Sequence, residues 1–203
     1  MSSIAATSAG RALASAQPYP WPFHGSFDAG RSALVACLDV RWRVGGPASN
    51  DSDARLLELA GALRGHGGLV VVITSTPPQA RSALARAATP PRPVDWLEAD
   101  IELAAGATDA FYASALEDIL RWRGCSDLLI AGWGLEGPVH STLRAANDRG
   151  FECLLVPDAS TPLQPELAFA ACEMVRFSGG IFGAFADTAS VIYFLADAPT
   201  TRS

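Results

Sequence analysis

Four positions hold groups that could do chemistry, and each follows a short apolar run. Asp39 closes the first run and Ser75 trails the second. The stretch Gly132–Pro138 (GWGLEGP) follows the third, and Asp158 follows the fourth. A carboxyl, a hydroxyl and a glycine-rich turn are parts from which acid–base and nucleophilic catalysis are assembled. Cys37, Cys125, Cys153 and Cys172 form no CxxC pair, and His24, His66 and His140 are far apart in the chain. No zinc site follows from such spacing, so no metal and no cofactor is expected. All 15 basic residues are arginine, so a mechanism that needs a lysine ammonium is excluded from the start. Gly132, Gly134 and Gly137 make a glycine-rich turn. Neither GxGxxG nor GK[ST] is present, and a nucleotide phosphate is not the expected ligand.

The elements that must position these groups are those of one globular domain. The chain has 203 residues, 49% hydrophobic and 18% charged, with a net charge of −6. A pI near 5.0 leaves no basic patch for phosphates, which argues against nucleic acid as a partner. No apolar run approaches the ~18 residues of a membrane span. Met1 to Gln17 is rich in Ala and Ser without a basic leader or a continuous apolar stretch. It reads as a disordered arm (1–17), before a domain over 18–198 and a tail over 199–203. Scattered thiols in apolar runs read as reduced and buried, so a cytoplasmic location is expected.

The runs Ala33–Leu38, Leu69–Ile73, Leu128–Ala131 and Cys153–Val156 do not alternate with polar residues. Continuous apolarity over four to six residues marks strands covered on both faces, as in parallel sheets. Between them, Asp53–Gly65, Phe111–Arg123, Val139–Arg149 and Pro165–Phe177 carry helical periodicity. The first sets Leu56, Leu57, Ala60 and Leu63 on one face, the second Tyr112, Leu116, Ile119 and Leu120. The third carries Val139, Leu143 and Ala146, the last Leu167, Ala171, Met174 and Val175. The alternation predicts a right-handed three-layer αβα fold on a mainly parallel sheet. Ligands in such folds bind outside the carboxyl ends of the strands, where the four chemical positions lie. Pro77–Pro93 is helix-capable at its centre and bracketed by prolines; Trp96–Leu103 is either a short strand or an irregular connection. Trp21, Phe23 and Phe27, interleaved with Pro18, Pro20 and Pro22, predict an extended strap across the body or a neighbouring subunit.

Several segments resemble the isochorismatase-like (cysteine hydrolase) superfamily, most closely its biuret hydrolase and ureidoacrylate amidohydrolase branch. They are PYPWPFHG (Pro18–Gly25), ALVACLD ending at Asp39, FYASALEDILRWRG (Phe111–Gly124) and GGIFGAFAD (Gly179–Asp187). The most specific is LLIAGWGLEGPVHSTLRAANDRGFECLLVPDAS (Leu128–Ser160). The resemblance covers about two thirds of the chain and breaks off between Thr76 and Thr108. There the chain is much shorter than the family's substrate-covering loops. It implies a Rossmann-like sheet of six strands and a catalytic Asp, Lys and Cys. The Asp position is Asp39, the Lys slot is Ala105 and the Cys slot is Pro138.

These departures are chemical. The nucleophile of such a site is a thiolate. Pro138 has neither a sulfur nor the backbone N–H with which the family's nucleophile helps hold the oxyanion. One lost donor of that kind costs about 2.7–4 kcal/mol of transition-state stabilisation. Proline is favoured at the first position of a helix, so Pro138 is expected there, capped by Gly137, with active-site strain relieved.

The first functional expectation is therefore a family member that has lost Lys and Cys and serves as a binding or partner subunit. The second is a hydrolase of a small amide, ureide or enol ether that uses Asp39 in a rebuilt site. Asp39 is either a working acid or base, or an inherited residue bonded to loop N–H groups or to an arginine, with Arg41 and Arg43 near enough in the chain to neutralise it. Cys37 is either a substitute nucleophile or an unactivated core thiol. His140 is either a surrogate base or ligand, or a helix residue that is partly exposed or bonded within an interface. Trp133, Gly134, Leu135 and Glu136 are the candidate ligand-binding residues. Trp133 could instead fill the pocket or a subunit contact, and Glu136 could simply be solvated. A small-molecule ligand and association with itself or an active paralogue complete the expectation.

Overall fold

Alternate residues of the first strand feed two separate cores, which is why its sequence shows no alternation. In the computed structural model, which describes residues 11–39, 49–75 and 95–197, β1 spans Ser32–Cys37. Leu34, Ala36 and Leu38 lie in one core and Ala33, Val35 and Cys37 in the other. The other strands are β2 (Leu69–Ser75), β3 (Ile101–Ala105), β4 (Asp127–Trp133), β5 (Glu152–Thr161) and β6 (Ala184–Phe185). All pair in parallel, in the order β3-β2-β1-β4-β5-β6.

Helices α1 (Ser49–Gly65) and α5 (Thr188–Ala196) cover one face, through Leu56, Leu59 and Leu63 and through Val191 and Leu195. The other face carries α2 (Leu116–Trp122), α3 (His140–Asp148) and α4 (Ala168–Arg176), through Leu116 and Leu120, Leu143 and Ala146, and Ala171 and Val175. The three-layer fold and its six-stranded sheet are as expected, and Trp96–Leu103 resolves into a 3₁₀ turn at Asp95–Leu97 and the start of β3.

Three helix faces differ from the periodic reading. Leu57 is exposed and Leu59 is buried in its place. Tyr112 is exposed because α2 begins only at Leu116, after irregular turns pinned by Asp109, whose Oδ1 accepts from the Phe111 and Tyr112 amides. Leu167 and Met174 are exposed while Ala171 and Val175 are buried. Pro165–Leu167 forms a 3₁₀ turn, and its tighter winding shifts the phase entering α4.

Residues 11–17 are ordered against the body, which corrects that part of the disordered arm. Leu13 and Ala16 are buried, Leu13 bridges Trp21, and Gln17 bridges Phe185 of β6 in an antiparallel sense. The aromatic strap crosses this protomer's own body. Trp21 is fully buried, the Phe27 ring packs on Phe194, and the Tyr19 hydroxyl donates to Glu152. Residues 1–10, Arg41, Arg43, Pro77–Pro93 and the 199–203 tail lie outside the described residues.

Candidate functional site

Strand order reverses between β1 and β4, which run side by side at the centre of the sheet with connections leaving in opposite directions. In an open α/β sheet that reversal opens a crevice at the carboxyl ends. Asp39 lies just beyond β1 on one side of it, and the Gly134–Pro138 turn follows β4 on the other.

The register lines up the chemical positions. Cys37 pairs with Ile73 of β2, and Ser75 pairs with Ala105 of β3. Two residues past Cys37, Asp39 falls in the row of Ser75 and Ala105. The Ser75 hydroxyl donates to Asp39 Oδ2 at 2.7 Å. Asp39 is buried and has further contacts, as do Ser75 and Ala105.

Glycine is required where β4 meets β1. Gly132 has φ +128°, and a Cβ there would stand 2.2 Å from the Cys37 carbonyl oxygen. This close approach brings the following turn onto β1. Gly134, at φ 81°, leads into a π-helical turn over Leu135–Val139, inside which Pro138 sits. Gly137 (φ −107°, ψ −107°) is outside the helical region, and regular α3 starts only at His140. Pro138 therefore does not open a regular helix capped by Gly137, as expected from its sequence context. The widened turn follows from the Gly-Pro pair: Gly137 adopts an off-helix conformation, and Pro138 has no N–H to give to an α-helical bond.

Beneath this turn lies Cys37, with Sγ 4.0 Å from the Pro138 carbonyl oxygen and 3.5 Å from Thr142 Oγ1. Burial pushes the Cys37 thiol up to about 12, outweighing the hydrogen bond to Thr142 that acts the other way. It is an unactivated core thiol. Thr142 Oγ1 also accepts from the Ala110 amide at 3.0 Å, and so ties the loop ahead of α2 to the floor of the site. Nothing in its sequence context marked Thr142, because both its partners are distant in the chain.

The four candidate ligand-binding residues are all engaged with the protein. Trp133 is buried, and its Nε1 donates to Asp53 Oδ1 at 2.7 Å at the start of α1. Leu135 is buried in the opposite core. Gly134 donates its N–H to Thr161 O and accepts from the amides of Gly137 and Val139. Glu136 is not simply solvated: its two oxygens accept from the amides of Leu163 (2.9 Å) and Gln164 (2.8 Å).

His140 is buried, contrary to its reading as a partly exposed helix residue, because the π-turn rotates it under Phe182. Its Nδ1 accepts from Arg144 Nε at 3.2 Å, and its buried Nε2 completes no hydrogen bond among the described residues. Burial, with the Arg144 charge second, holds its pKa below the usual value. Asp158 falls inside β5, which continues past Val156. It accepts from the Thr188 amide and hydroxyl (both 2.9 Å), so it anchors α5. The β4–β5 register shifts between Ile130 and Gly132, opposite the segment containing Pro157, which cannot donate to the ladder. Among the described residues no three of His, Cys, Asp and Glu gather to hold a metal ion, and no helix is long and apolar enough to cross a membrane.

The isochorismatase domain, as a family model, matches residues 36–190, from the end of β1 into α5. The chain belongs to the isochorismatase family. Solved structures agree in fold with this isochorismatase-family chain. An isochorismatase family protein from Burkholderia thailandensis shares 22% identity, with 82% of this chain and 96% of that one covered at a TM-score of 0.68. A cysteine hydrolase from Pseudomonas syringae pv. phaseolicola shares 15%, covering 96% of this chain and 100% of that one at 0.72. A nicotinamidase from Bacillus subtilis shares 18%, covering 74% and 97% at 0.62. At such identities the likeness to each is one of fold.

Proposed function

We propose that this isochorismatase-family chain has lost the Lys and Cys of the family's triad, stems from the biuret hydrolase and ureidoacrylate amidohydrolase branch, and acts as a non-catalytic binding or partner subunit. The observation that carries the reading is Pro138. A proline offers no nucleophilic atom and no amide proton for an oxyanion, and the chain has no lysine to activate a thiol elsewhere. Two further features support it. The nearby thiol, Cys37, is buried and protonated. Trp133 and Leu135 are committed to the two cores rather than to a cavity. On this reading Gly134 and Glu136 form the rim of the crevice, and a small molecule that binds there is retained unchanged.

A second reading, a hydrolase of a small amide, ureide or enol ether, is favoured by the 2.7 Å bond between Ser75 and Asp39, which keeps one carboxyl in place at the crevice. Purified protein assayed with biuret, ureidoacrylate-like amides, nicotinamide and isochorismate separates the two. No turnover is expected. Turnover that persists after dialysis and disappears in Asp39→Asn would sink the non-catalytic reading in favour of the second. The paired change Ala105→Lys with Pro138→Cys is expected to recover little, because the segment between Thr76 and Thr108 is shorter than the family's substrate-covering loops.

A further inference from the structure

The amino end of the sheet, opposite the crevice, carries a second concave site. Asp127 opens β4 and Glu152 opens β5, and the two pair in register. A cavity of about 270 Å³ opens beside Glu152, lined by Tyr19, Phe23, Asn147, Glu152, Gly179 and Gly180. It lies between the aromatic strap, the last turn of α3 and the turn that follows α4. That volume is just under the ~300–1,000 Å³ of pockets for drug-sized ligands, so it suits a head group with a short stem.

The polar side chains on this wall offer acceptors. The Tyr19 hydroxyl and the Phe23 amide both donate to Glu152 Oε1 at 3.0 Å, which leaves Oε2 without a hydrogen-bond partner among the described residues. Asn147 Nδ2 donates to the Leu143 carbonyl at 2.8 Å, which fixes the amide's orientation and leaves Oδ1 as an open acceptor. No arginine lines the cavity. The buried Asp127 carboxyl, one strand away, adds to the negative potential. Asn147 also sits at the carboxyl end of the nine-residue α3, where the helix dipole favours a cation.

The rings complete the site. Tyr19 and Phe23 meet edge to face, with centroids 5.5 Å apart and planes at 89°, and so form two walls at a right angle. Faces of aromatic rings attract cations. Phe23 is 78% exposed, so core packing does not set its place beside the cavity. Gly180, at φ +95°, keeps the opposite wall open, because a Cβ there would stand 3.2 Å from Tyr19 Cε1.

We propose that this cavity binds a small organic cation with N–H donors, a guanidinium or a primary alkylammonium. One N–H meets Glu152 Oε2, another meets Asn147 Oδ1, and the stem lies against Tyr19 and Phe23. A guanidinium fits best, because its planar fork presents several donors while its face stacks on a ring. A quaternary ammonium has no proton for either oxygen. A bare metal ion is disfavoured, because among the described residues no three of His, Cys, Asp and Glu gather to hold one. The bound cation ties the strap to the end of α3 and stabilises the folded chain by mass action. The inference goes beyond the functional reading above and does not depend on whether the crevice turns over a substrate.

Isothermal titration calorimetry tests it on the full chain with methylguanidinium, n-butylammonium, tetramethylammonium and methylurea. Methylguanidinium is expected to bind saturably, with a dissociation constant of about 1 mM or tighter. Tetramethylammonium, which lacks donors, and methylurea, which lacks charge, are expected to bind at least about tenfold more weakly. Glu152→Gln, checked for folding by circular dichroism, should weaken methylguanidinium about tenfold, and Asn147→Ala about fivefold. Phe23→Ala removes only an exposed ring, keeps the amide bond to Glu152 and should weaken binding roughly threefold, so it carries the test if Glu152→Gln does not fold. Folded Asp39→Asn should bind as the wild type does. Absence of saturable binding by both methylguanidinium and n-butylammonium overturns the proposal. So does equal binding of tetramethylammonium or methylurea, or unchanged affinity in Phe23→Ala and Asn147→Ala. Binding lost in Asp39→Asn places the cation in the crevice and overturns it as well.

Discussion

Ser75 Oγ donates to Asp39 Oδ2 at 2.7 Å, from the end of β2 to the residue just beyond β1. The bond joins the ends of two neighbouring parallel strands and sets the direction in which the only carboxyl of the inferred triad points. Ser75→Ala should lower stability by about 1–2 kcal/mol, the low end for a hydrogen bond to a carboxyl, because Asp39 has other contacts. Urea denaturation measures it. A change indistinguishable from zero would show that the pair contributes no net stability.

Glu136 satisfies two backbone amides that open the path into α4. Its removal in Glu136→Ala leaves the half-buried Leu163 amide without that acceptor, at a cost of about 1–2 kcal/mol. Glu136→Gln keeps one acceptor and should lose less. Equal midpoints for the two variants would contradict the two-amide role.

His140 should make stability fall as the solution is acidified. Its folded-state pKa lies below the ordinary 6.5, chiefly through burial and then through the Arg144 charge. Between the two values the unfolded chain binds the proton and the folded chain does not, so stability is present above about pH 6.5 and is lost on the way down to the folded pKa. Thermal unfolding at pH 7.5 and 5.5 should show a smaller drop for His140→Gln than for the wild type. A parallel drop in both proteins would place the effect elsewhere.

Cys37 should resist alkylation in the folded protein. A buried thiol titrating near about 12 is almost wholly protonated at pH 8, and the thiolate is the reactive form. Mass spectrometry after iodoacetamide should find Cys37 unmodified in native buffer and modified in guanidinium. Rapid native labelling would mean that the floor of the site opens.

Much of the architecture was legible because it rests on local pattern. Runs such as ALVACL are apolar at every position, and only a strand covered on both faces buries all of them. Asp39, Ser75 and Gly134–Pro138 could be assigned to one end of the sheet because parallel strands point their carboxyl ends the same way. Helix phase was less legible. The 3₁₀ turn before α4 and the π-turn before α3 change the angle per residue, so Met174 faces outward and His140 inward.

The sequence by itself determined the chemical inventory: one carboxyl at the close of the first strand, a proline at 138 and no lysine anywhere. Those are matters of residue identity, and no folding changes them. Tertiary structure alone decided which groups meet. Asp39 and Ser75 are 36 residues apart, and their bond depends on the register of β1 against β2. Glu136 reaches amides 27 and 28 residues away, which turns an apparently solvated carboxyl into the clamp on α4. Such pairings follow from strand register and loop path, which are set by the packing of the whole chain rather than by the residues next door.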